Sequence, residues 1–121
     1  MFVYLVQHGQ AKSKDVDPDR HLTEQGIKAV KTISTFLKTA NLQVDVIWHS
    51  EKARAAQTAE ILLKGVVSKK GIVQHDDLTP NADIEPVERE LIKGNKNIMI
   101  VGHLPFLSKL ASSMVVDDDS A

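Results

Sequence analysis

The sequence predicts an α/β protein of three layers, with a mainly parallel sheet of about four strands covered by helices on both faces. Short apolar runs rich in β-branched residues alternate with longer segments of helical periodicity, in the order βαβαβαβα. The runs are apolar at successive positions rather than every second one, as strands buried on both faces are. Turn signals such as Lys69-Lys70-Gly71 and Gly94-Asn95 separate the segments.

Residues 2–6, Phe-Val-Tyr-Leu-Val, form the first expected strand. A polar loop over 11–20, containing Asp17-Pro18, precedes a helix whose N-cap is Thr23 and whose core stripe is Ile27, Val30, Ile33 and Leu37. That helix should end within 38–41. A second strand is expected at 44–48, then a helix over 52–63, alanine-rich where it nears the sheet and closed by Gly65. Residues 72–74 read as a short strand, and 76–83 as a polar loop placed to overhang a site. A helix over 84–93, a strand over 97–101 and a last helix with Pro105 in its first turn, reaching about Met114, complete the pattern. Residues 117–121 read as a charged tail. With no repeat or linker, 1–121 is expected to form a single domain.

Composition narrows the function. A net charge of -1 offers no basic face for nucleic acid. Cysteine is absent, which excludes a thiolate nucleophile and Cys-ligated metals and fits a reducing cytoplasm. The first apolar run is far shorter than the roughly 20 residues of a membrane span and has no basic segment before it, so a cytoplasmic location without membrane association is expected.

The informative residues sit at the ends of the apolar runs. The first ends in Gln7-His8-Gly9 and the last in Gly102-His103. Ligand sites in such sheets form outside the carboxyl ends of parallel strands, so the two histidines are expected to meet. The run at 44–48 leads through His49-Ser50 into a helix carrying Arg54 near its start. Two imidazoles and a guanidinium at one crevice suit an oxyanion, phosphate above all. No HExxH or other closely spaced ligand set accompanies them, so no metal site is expected. His21, His49 and His75 are assigned to loops or local hydrogen bonding.

Four segments, His8-Gly9, Arg20-His21-Leu22-Thr23 with Gly26, Ser50 with Arg54-Ala55-Ala56-Gln57-Thr58-Ala59, and Gly102-His103-Leu104-Pro105, together resemble the histidine phosphatase superfamily, and its small SixA-type phosphohistidine phosphatases most of all. The resemblance implies a phosphoglycerate mutase-like fold and a metal-independent, cofactor-free phosphatase. In it His8 is the nucleophile, Arg54 and His103 complete the catalytic set, and Gln7, Gly9, Arg20 and Gly102 bind phosphate. Thr58 would support that set. The implied partner is a phosphorylated protein, or a small phosphorylated substrate.

Three features depart from the family pattern. Gln7 stands where relatives carry arginine, which keeps two donors but loses a permanent charge and a five-donor fork. That keeps open a second reading, a phosphate- or phosphohistidine-binding module without turnover. The general acid of larger relatives has only Asp77 as its candidate here. SixA-like domains also continue into a further strand segment, so an open sheet edge, able to pair with a second copy, is expected.

Overall fold

The computed structural model describes the backbone of residues 1–120 and the side chains of residues 1–115. Its elements, in chain order, are β1 (Val3–Gln7), α1 (Glu24–Thr39), β2 (Gln43–Val44), β3 (Val46–His49), α2 (Ala53–Leu62), β4 (Val67–Ser68), β5 (Ile72–Gln74), α3 (Glu85–Gly94), β6 (Ile98–Gly102) and α4 (Phe106–Ser120). Four strands form one sheet in the order β1-β6-β3-β5, every pair parallel. β6 holds the centre, with Gln7 opposite Gly102 on one side and His49 opposite Val101 on the other. The first and last histidine-bearing strand ends are therefore neighbours.

Alternation along the strands sorts the core into two layers. Ile47, Met99 and Val101 pack with Val30 of α1 and Ala55, Ala59 and Leu62 of α2 on one face. Val46, Trp48, Ile98 and Ile100 pack with Val87 and Leu91 of α3 and with Phe106, Leu107 and Leu110 of α4 on the other. This is the expected α/β/α sandwich. No helix among the described residues is long and apolar enough to cross a membrane.

Local chemistry explains most boundaries. Thr23 caps α1 by accepting the Gly26 N–H at 2.9 Å. Asn95 ends α3 in the left-handed region, with φ of 50°, its N–H donating to the Leu91 carbonyl at 3.0 Å.

Three expectations need correction. The strand expected at 44–48 is broken at Asp45, whose N–H donates to the Asn97 carbonyl at 2.7 Å while its carboxylate accepts the Asn97 N–H at 2.8 Å. The piece before the break, β2, pairs instead with β4 in a separate two-stranded sheet. On α1, Ile33 is exposed and Ser34 is buried in its place. Ser34 lies where α1 packs against the end of α2 and the turn after it: its hydroxyl donates to the Ile61 carbonyl at 3.0 Å, and a Cβ on Gly65 would fall 2.0 Å from the Ser34 carbonyl oxygen. Only small side chains fit such an approach. Finally, α4 continues past Met114 through the acidic residues to Ser120 rather than ending in a tail.

Candidate active site

His8 follows the last residue of β1, and its N–H extends the ladder by donating to the Gly102 carbonyl at 3.0 Å. The Nδ1 of its ring lies 2.7 Å from the Gly9 carbonyl oxygen. A carbonyl can only accept, so Nδ1 carries the hydrogen and Nε2 of the neutral ring keeps its lone pair. The His8 pKa is lowered from its ordinary value, first by burial; the Gly9 carbonyl works the other way, and Arg54 and Arg20 add to the lowering. The neutral form of the His8 ring is thereby favoured.

His103 stands beside it, the two ring centroids 4.9 Å apart. It is almost wholly buried, and burial, then Arg54, His8, Lys52 and Arg20, lower its pKa to about 4. Its Nε2 lies 2.6 Å from the hydroxyl of Ser50, which is itself fully buried at the end of β3. Its Nδ1 is buried without a partner among the described residues.

Arg54 sits in the first turn of α2, a helix with no side-chain cap and no acidic residue in that turn. Its Nε is likewise buried and unpartnered, and burial followed by the nearby Arg20 lowers its pKa. Uncompensated N–H groups at a helix start favour an anion, and the arginine adds to that field. Thr58, one turn on, accepts the Gly9 N–H at 3.0 Å and donates to the Arg54 carbonyl at 2.7 Å, tying the end of β1 to α2.

Arg20 reaches the same region from the loop before α1. It has a φ of 54°, and the turn is held by Asp17, whose carboxylate accepts the N–H groups of Asp19 and His21. Its Nε donates to the Lys12 carbonyl at 2.9 Å, leaving the terminal nitrogens free of side-chain partners among the described residues. The Gln57 side chain accepts the Leu22 N–H at 2.8 Å and pins this loop to α2. Arg20 and Arg54 share the wall of an open pocket of about 560 Å³ that also takes in Lys14 and Lys52.

The remaining expected residues divide. Gly9 is a glycine because α1 passes close: a Cβ there would meet Val30 Cγ2 at 2.8 Å. At Gly102 a Cβ would make only ordinary contacts, the nearest at 3.6 Å. Gln7 is exposed and, by strand alternation, starts on the sheet face opposite His8. Asp77 is exposed, and no hydrogen bond joins its carboxylate to the site among the described residues. His75 ties down the loop around it, donating from Nε2 to Glu90 at 2.8 Å and accepting the Asp77 N–H at 3.2 Å. His49 donates to the Ser50 carbonyl at 2.9 Å, and the His21 ring lies 2.8 Å from the Asp17 carboxylate. Asp17, Asp19 and His21 offer ligand atoms within 4.8 Å of one another, but the Asp17 carboxylate is already engaged by the turn it holds. Ser50 and Gln57 belong to the motif after β3, yet nothing in a linear sequence tells which histidine or loop they meet.

The family model for the histidine phosphatase superfamily (branch 1) matches residues 3–79, a stretch containing His8, Arg20 and Arg54. No curated protein sequence matches the chain. Among solved structures, the protein histidine phosphatase SixA complexed with tungstate is 25% identical with a TM-score of 0.82, covering 93% of this chain and 75% of that one. The putative phosphohistidine phosphatase SixA from Agrobacterium tumefaciens is 26% identical with a TM-score of 0.77, covering 93% and 76%. The alpha-ribazole phosphatase from Shigella flexneri, at 18% identity, a TM-score of 0.66 and coverage of 93% and 79%, shares the fold.

Proposed function

The chain belongs to the histidine phosphatase superfamily, and on that footing we propose that it is a phosphohistidine phosphatase acting through a covalent phosphoenzyme at His8. The observation that carries the reading is the pairing of a free imidazole lone pair on His8 with two buried, unpartnered polar atoms, Nδ1 of His103 and Nε of Arg54. Buried polar groups without partners are rare, and a bound phosphoryl group would satisfy both. The likeness to SixA, one structure of which holds tungstate, supports the same ligand class.

The chemistry proceeds in two displacements. His8 Nε2 attacks phosphorus, the P–N bond of the substrate breaks, and its electron pair returns to the departing imidazole. Where that ring already carries a proton on its other nitrogen, it leaves neutral. The phosphorylated His8 ring is then cationic, and the Gly9 carbonyl holds its Nδ1–H. Water next attacks phosphorus, the N–P pair returns to Nε2, and both water protons end on dihydrogen phosphate. Neither step calls for an enzyme acid, in keeping with a site to which the Asp77 carboxylate makes no hydrogen bond among the described residues. Arg54, Arg20 and His103 stabilise charge on the equatorial oxygens. Gly9 and Gly102 frame the backbone around the phosphoryl group, with Gln7 at its edge.

The substrate class is tested by comparing turnover of a phosphohistidine protein, phosphoserine and an aryl phosphate, with His8→Ala as control. The expected result is a preference for phosphohistidine that His8→Ala removes with the fold intact. Equal turnover by His8→Ala, or turnover of esters alone, contradicts the proposal.

A further inference from the structure

We infer that Ser50 is a positioning residue that fixes the tautomer of His103, so that Nδ1–H rather than Nε2–H faces the phosphoryl group. The inference rests on the reading of His103 as a phosphate donor and adds how that donor is set. Ser50 is fully buried, and its Oγ already accepts the Lys52 N–H at 3.3 Å. The remaining contact of that oxygen is His103 Nε2 at 2.6 Å. Two arrangements are open. If Nε2–H donated to Ser50, the buried hydroxyl hydrogen would have no acceptor among the described residues, and Nδ1 would present a bare lone pair toward the anion. If the hydroxyl donates to Nε2, both groups are satisfied and the ring hydrogen resides on Nδ1. Which nitrogen of a histidine carries the hydrogen is set by the bond the other makes. The second arrangement leaves Nδ1–H as the one unpaired donor of the ring, and that atom is the one found buried and without a partner. The histidine is also neutral over the ordinary pH range, with a pKa of about 4, so a tautomer choice exists to be made.

The direct test is nitrogen NMR of the ¹⁵N-labelled protein, reading the two ring nitrogens of His103 above pH 6. The expected spectrum shows Nδ1 protonated and Nε2 bare, and in Ser50→Ala it moves toward a mixture. Protonation on Nε2 in the unsubstituted protein, or a spectrum unmoved by Ser50→Ala, overturns the inference. Kinetics give a second arm. Ser50→Ala should lower kcat/KM about tenfold, part of the 10²–10³ a whole oxyanion donor carries. An asparagine amide places its N–H near the position of Nδ1, so His103→Asn should retain more activity than His103→Gln. On the His103→Asn background, Ser50→Ala should then cost nothing further, because the tautomer it governs is gone. Additive losses would show that Ser50 acts elsewhere. If no phosphoryl substrate is turned over, the phosphatase reading fails while the NMR arm still decides the tautomer.

Discussion

The end of β1 and the end of β6 present the same residue pair in opposite order, His8-Gly9 against Gly102-His103, and the local backbone turns them to opposite uses. At β1 a main-chain carbonyl takes the Nδ1 hydrogen of His8 and leaves Nε2 free. At β6 a side-chain hydroxyl takes up Nε2 of His103 and leaves the Nδ1–H without a partner. The first arrangement offers an electron pair, the second a hydrogen. Burial and Arg54 lower the proton affinity of both rings, and His103, where Arg54 is the second cause, falls to about 4. Two neighbouring histidines thus differ through the one contact each makes away from the crevice.

Arg54→Ala strikes the element the two ends share and should have the largest effect. Removing this donor is expected to lower kcat/KM by about 10²–10³. Because Arg54 depresses both histidines, their titrations followed by proton NMR should rise together, and a rise confined to one would break the symmetry of the comparison.

Gln7→Arg strengthens the β1 side alone. Gln7 starts on the face away from His8, so only a long side chain can reach around the strand end, and arginine is both longer and charged. Vanadate affinity should increase, and turnover by up to about tenfold. Unchanged vanadate binding would place residue 7 outside the pocket.

The pH dependence is read first in stability rather than in turnover. The His103 pKa of about 4 lies below its ordinary value of 6.5, so between these limits the unfolded chain binds more protons than the folded one. Stability is complete above 6.5 and declines as pH falls toward 4. Thermal melts of the parent and His103→Gln across that window should converge at low pH, and parallel curves would contradict the burial of a neutral ring. Loss of activity on acidification should set in at a lower pH than an ordinary imidazole would impose, since burial lowers the His8 pKa.

Much of this was legible from residues alone. Continuous apolar runs mark β1, β3 and β6 as strands, of which β3 and β6 are buried throughout while the edge strand β1 is only half-buried, and the glycine-histidine pairs ending β1 and β6 mark the crevice. The two-residue strands β2 and β4 carry no periodic signal, and the break at Asp45 arises from its pairing with Asn97, a long-range contact invisible to local pattern. Helical spacing put Ile33 in the core stripe, whereas the close approach of the turn after α2 at Gly65 selects small Ser34. Within the site, His8, Arg54 and His103 stand out by residue type. The tie from Ser50 to His103 spans two strand ends and needs coordinates to be seen.

The central claim is that His8 alone carries the phosphoryl group, and on Nε2. Rapid quench of the protein with a phosphohistidine donor, followed by peptide mapping under alkaline conditions and phosphorus NMR of the labelled peptide, reads both the residue and the ring nitrogen. The account predicts one acid-labile phosphoryl group on His8 Nε2, absent in His8→Ala and retained in His103→Asn. Label on His103, or on Nδ1 of His8, would contradict it.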